Sequence, residues 1–212
     1  MKRNLLRLMV GLTAVISASF LTGAVDKLSP PQLNSPADGA RRVRDARLSW
    51  NMVPLARKYR VSYKQNTFDE HTAEVSFTEY TIPLAKKGVK YIWRVKALAS
   101  DPKNDSDWSA SRSFTTFIAA PDQLSPRHGE TNVGTLVAND TKVSVRLTWK
   151  SSDGATGYIP EIEGKGSPNT LGGTEYTYPL LDKGTTYKWR VKSVGPDEQS
   201  EWSPWWTFTT RN

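Results

Sequence analysis

A chain of 212 residues with 13 Pro, 14 Gly, eight Trp, eight Tyr and six Phe is poorly suited to a helical bundle, and favours many short strands joined by turns. The absence of cysteine excludes disulfide stapling and a lipid anchor on an N-terminal thiol, so any domain must rely on its apolar core. The net charge of +8 includes three cations near the N-terminus, and the remaining excess sits in the first half: residues 25–120 carry +6 and residues 121–212 carry −1.

Lys2, Arg3 and Arg7 precede an apolar stretch from Leu8 to Leu21, followed by small residues, the order of a secretory leader. Residues 1–24 are read as a signal peptide cut before Val25, with a cut after Ser19 as the alternative. An uncleaved anchor is the competing reading, although the stretch is shorter than the ~20 residues of a spanning helix. The mature chain is expected to be periplasmic, on the cell surface or extracellular, with no integral membrane segment.

Two segments then follow, residues 25–119 and 120–212, and they repeat one another. Leu48-Ser49-Trp50 returns as Leu147-Thr148-Trp149, and Ala56 and Tyr59 as Ala155 and Tyr158. Thr78-Glu79-Tyr80-Thr81 returns as Thr174-Glu175-Tyr176-Thr177. Further on, Trp93-Arg94-Val95-Lys96 matches Trp189-Arg190-Val191-Lys192, Ser106-Asp107-Trp108-Ser109 matches Ser200-Glu201-Trp202-Ser203, and Phe114-Thr115-Thr116 matches Phe208-Thr209-Thr210. The offset drifts from 99 through 96 to 94, so the loops differ in length while the strands keep theirs. Within Tyr91–Ala97 and Tyr187–Ser193 a two-residue period sends Tyr, Trp and Val inward and Arg and Lys outward. The connecting Phe117-Ile118-Ala119-Ala120-Pro121 has neither Gly nor Ser and should limit rotation between the halves.

Over nearly all of residues 25–212 this order resembles the fibronectin type III family: a Trp on the second strand (Trp50, Trp149), a Tyr on the third (Tyr59, Tyr158), and a corner from Leu84 and Gly88 to Tyr91 or from Leu180 and Gly184 to Tyr187. The resemblance implies an all-β chain of two tandem immunoglobulin-like sandwiches, and it extends to bacterial exported versions with a Trp-Arg-Val strand, an Asp/Glu-Trp-Ser turn and a Phe-Thr-Thr end. Pro160, standing where the first copy has Val61, departs from the pattern and puts the third strand of domain 2 in doubt, because proline cannot donate to a ladder.

The same likeness implies that Arg94 and Lys96 stack on Trp108, and Arg190 and Lys192 on Trp202, as structural cation–π contacts. Trp205-Trp206 aligns with Ser111-Arg112, and since adjacent strand residues point to opposite faces, at least one of these indoles lies outside the domain core. It either binds a sugar ring or protein, or is covered by a neighbouring loop. Arg41, Arg42, Arg44 and Arg47 form a basic cluster able to attract an acidic polymer, or a solvated face; strand alternation would aim Arg42 and Arg44 together.

No catalytic residues, metal ligands or cofactors are assigned. His71 and His128 lie in different repeats, and no phosphate loop, dinucleotide fingerprint or Gly-x-Ser-x-Gly elbow occurs. A non-enzymatic binding or adhesion protein of the cell surface or matrix is expected, with a protein or polysaccharide partner; a passive spacer or assembly subunit is the alternative. Export and the near-neutral second half argue against nucleic acid. Nothing in the sequence sets an oligomeric state.

Overall fold

The structure is a computed structural model that describes residues 27–65 and 69–212. The expected leader lies outside the described residues, among which no helix is long and apolar enough to cross a membrane.

Each half folds into a sandwich. In the first, strands β1 (Leu33–Ser35), β2 (Ala40–Val43), β3 (Arg47–Trp50), β4 (Lys58–Gln65), β5 (Asp69–Val75), β6 (Glu79–Thr81), β7 (Lys90–Leu98) and β8 (Arg112–Thr116) form two sheets, ordered β1-β3-β6 and β2-β8-β7-β4-β5. In the second, β9 (Gln123–Ser125), β10 (Glu130–Val133), β11 (Thr135–Val137), β12 (Lys142–Trp149), β13 (Gly157–Ile162), β14 (Glu175–Asp182), β15 (Thr186–Val194) and β16 (Trp206–Thr210) form one sheet of β11-β12-β14 with β9 beside β12, and a second ordered β10-β16-β15-β13. The alternation in β7 and β15 puts Tyr91, Trp93, Val95 and Ala97, and Tyr187, Trp189, Val191 and Ser193, into two separate cores. Trp50, Trp93, Trp149 and Trp189 are all buried.

Repeated side chains fix the same turns in both halves. Tyr59 packs edge-on against Trp50, and its hydroxyl accepts the Val53 N–H at 2.9 Å; Tyr158 packs on Trp149 and accepts the Ser152 N–H at 3.0 Å. Tyr91 and Tyr187 likewise accept the N–H groups of Lys86 and Asp182, both at 2.9 Å, which pins the turn into β7 and β15. The leucine end of this corner differs from the sequence expectation. Leu84 is 99% exposed at a positive φ of 51° and Leu180 is also exposed, while Ile82 and Leu181 occupy the core. Leu84 stands in the turn after β6, where strand alternation no longer applies, and Leu180 lies one position from Leu181 on β14, which sends it to the opposite face.

Pro160 ends the parallel between the sheets. Val61 of β4 pairs with Val95 on one side and Ala73 of β5 on the other, whereas among the described residues Pro160 of β13 pairs with Val191 alone. The Tyr158 N–H and C=O point away from β15 to exchange bonds with Leu171, so two residues on the Pro160 nitrogen points the same way, toward an edge where no donor is required. Among the described residues domain 2 has no counterpart of β5, and β13 has six residues where β4 has eight.

Candidate functional site

The outward faces of the sheets that contain β7 and β15 are organised by the Ser-x-Trp-Ser turns. In domain 1, Ser106 and Ser109 donate their N–H groups to the carbonyls of Ala97 and Val95, and their hydroxyls accept the N–H groups of the same two residues at 2.8 and 3.0 Å. Ser200 and Ser203 do the same for Ser193 and Val191, both side-chain bonds being 2.9 Å. A hydroxyl thus substitutes for a strand carbonyl. The segment is locked to β7 or β15, and the intervening Trp lies over the outward cations of that strand.

The Arg94 guanidinium lies 4.6 Å from the Trp108 ring, and in domain 2 Arg190 and the Lys192 ammonium lie 4.3 and 4.6 Å from the Trp202 ring. Lys96, expected over Trp108, turns instead to Asp105 at 3.6 Å, because a carboxylate within reach outweighs the ring quadrupole. Trp205 supplies a second plate: its ring is 4.1 Å from Arg190, whose cation is therefore held between two indoles and bonded to Glu161 at 2.6 Å. Trp206 takes the opposite direction and packs edge-on against buried Trp189, their centroids 6.2 Å apart. Both indoles remain half-exposed.

The arginine cluster goes elsewhere. Arg42 has a φ of 58° where β2 breaks register with β8, so simple alternation does not apply and Arg41 and Arg42 both reach domain 2. Arg41 grips Glu198 through Nε at 2.8 Å and Nη2 at 2.6 Å, and Arg42 pairs with Glu201. Arg44 lies 4.1 Å over the Phe117 ring, and Arg47 pairs with Glu79 on the neighbouring strand. The Glu198 side chain is only 1% exposed, and its bonds to Arg41 hold its carboxyl below the usual carboxylate range despite burial.

These pairs belong to a junction between the domains. Asp197 accepts the Lys90 N–H and donates its own N–H to the Gly88 carbonyl, each at 2.9 Å, while the Ser193 hydroxyl donates to Ala119 at 2.9 Å. Ile118 of the linker is buried against Gly88 and Gly195, whose backbones approach so closely that a Cβ on either would stand 3.2 Å from the other's Cα. Gly154, at a φ of 79°, meets Lys87 so tightly that a Cβ would lie 2.7 Å from its carbonyl oxygen. Sequence reasoning missed Glu198, Gly154 and Gly195. The available signal was disagreement between the copies: Gly154 aligns with Leu55, Glu198 with Asn104, and Arg41 and Arg42 with Thr131 and Asn132.

The imidazoles stay apart from this junction: His71 stacks on Tyr63 and the His128 ring accepts the Thr207 N–H at 3.0 Å. Among the described residues no three of His, Asp and Glu are placed to hold a metal ion.

No protein-family model and no curated protein matches the sequence. Among solved structures, a two-domain fibronectin type III segment of chicken tenascin aligns over 87% of this chain and 100% of its own length, with a TM-score of 0.59 at 17% identity. The first three fibronectin domains of chicken contactin-1 align over 88% of this chain and 67% of theirs, with a TM-score of 0.34 at 15% identity. Strand order, repeated corner tyrosines and the tenascin alignment agree: this chain builds two fibronectin type III sandwiches in tandem.

Proposed function

We propose that this chain is a non-enzymatic, exported binding or adhesion protein of the cell surface or extracellular matrix, taking a protein or an acidic polysaccharide as partner. The observation that supports it is the outward face of domain 2, where Trp202 and Trp205 flank Arg190 and leave both indoles half-exposed on a rigid sheet. Such a face joins an apolar plate for a ring to a cation for an acidic group. The +6 charge of residues 25–120 favours an anionic polymer, with Arg44 as its first contact, since an anion reaching Arg41, Arg42 or Arg47 must compete with Glu198, Glu201 or Glu79.

A glycan array probed at low and high salt tests this reading. Binding to acidic glycans that falls with salt and is weakened by Trp205→Ala is expected; its absence on every acidic glycan and envelope preparation would reject it. The closed junction favours a second reading, a structural spacer or assembly subunit, which that negative result would promote.

A further inference from the structure

The two outward faces differ by one aromatic plate. In domain 2, Arg190 is stacked between Trp202 and Trp205, but Ser111 stands at the position of Trp205 in domain 1, and Arg94 has Trp108 as its ring partner. Where the second indole would lie, Ser111 and Arg94 border a cavity of about 190 Å³, together with Ser62, Lys64, Glu70 and Ile92. We propose that this cavity is a binding site for an aromatic side chain, preferentially an indole, presented by a partner polypeptide. The site lies on the other domain from the face used above and does not depend on it.

Three observations carry the assignment. First, the molecule contains the occupied version of the site: Trp205 lies 4.1 Å from Arg190, while the backbone positions correspond, Trp93 opposite Arg112 and Trp189 opposite Trp206. Second, the seat is cationic. A guanidinium face is complementary to an aromatic quadrupole, whereas a sugar ring needs an aromatic plate beneath it. Third, Glu70 is poised as an acceptor. The Ser62 hydroxyl and the Arg94 Nη2, at 2.9 Å, both donate to its Oε1, and Oε2 has no protein hydrogen-bond partner among the described residues. Those two donors hold the carboxyl below its ordinary value, keeping it ionised to receive an indole N–H.

A polypeptide fits better than a free small molecule because Glu70 lies on β5, the last strand of its sheet. An extended segment added along that edge would arrive within one side chain of the cavity.

The experiment is a nitrogen-15 titration of the full chain with N-acetyl-tryptophanamide, following the Arg94 Nε–H resonance identified by its loss in Arg94→Gln. An upfield, saturable ring-current shift is expected, with the Arg190 resonance unmoved and N-acetyl-leucinamide without effect. Ser111→Trp should fill the site, reproduce the shift without ligand, and weaken binding by about tenfold or more. Should that variant fail to fold, Arg94→Gln decides, since loss of the cation should weaken binding similarly, read from the Trp108 indole N–H. Equal shifts with the leucine amide, undiminished binding in the variants, or no shift up to the solubility limit would overturn the proposal. A shift with methyl N-acetylglucosaminide but not with the tryptophan amide would overturn it in favour of a saccharide site.

Discussion

At the scale of single residues, one side chain can serve a core, a turn or a charge, and burial separates these roles. Trp149 is 2% exposed and packed on Tyr158, so Trp149→Ala should destabilise domain 2 by about 3–5 kcal/mol, as loss of a large core aromatic does. Urea denaturation followed by near-ultraviolet dichroism measures it, and an unchanged midpoint would contradict the core assignment. Asp182 is a different case. Its carboxylate bonds the Lys142 ammonium at 2.5 Å and the Tyr187 hydroxyl at 3.0 Å, which holds its pKa at about 2 against an ordinary 3.8. A folded-state pKa depressed below the unfolded one contributes stability that is complete above 3.8 and lost as pH falls toward about 2. The urea midpoint of domain 2 should therefore decline across that window, and Asp182→Asn should lower it at neutral pH while flattening the decline.

At the scale of elements, the edge of domain 2 carries a prediction of its own. Pro160 removes a donor from β13 where no strand among the described residues covers it, and exposed strand edges invite pairing with other chains. Pro160→Val restores an outward N–H and should promote self-association, seen as a concentration-dependent rise in sedimentation coefficient; a variant that stays at the wild-type value would show that the loop through Leu171 already closes the edge. The Ser-x-Trp-Ser turns make the complementary point. Their serines are buried, and the position they fix for the Trp over β7 or β15 is set by four hydrogen bonds per turn rather than by the weaker cation–π contact.

At the scale of the whole molecule, the junction explains the lopsided charge. Part of the excess on domain 1 is spent against Glu198 and Glu201 of domain 2. The exposed Arg42–Glu201 pair contributes little, about 0–1 kcal/mol, while the buried Glu198 needs Arg41 because an unpaired carboxylate there would be costly. Gly154→Val should force the contact with Lys87 apart, and Arg41→Ala should weaken it from the other side. Residual dipolar couplings should then require separate alignment tensors for the two domains, where the wild type needs one. A single shared tensor in both variants would mean that the linker alone sets the orientation.

The sequence by itself determined what repeats. Two copies of the same order of Trp, Tyr and Arg-Val strands can be satisfied only by two like cores, because a two-residue period commits each strand to one face. It also separated Trp205 from Trp206, since neighbours on a strand diverge. What only the tertiary structure decided lies where the copies disagree. Arg41 and Arg42 read as a free basic cluster because Glu198, distant by 157 and 156 positions, gives no local sign that it will accept one of them. Gly154, Gly195 and Ile118 read as ordinary loop and linker residues, and only the approach of two backbones shows why a side chain cannot stand at the glycines. Periodicity is a property of neighbours along the chain. A junction between domains is a meeting of surfaces, and its residues carry no period.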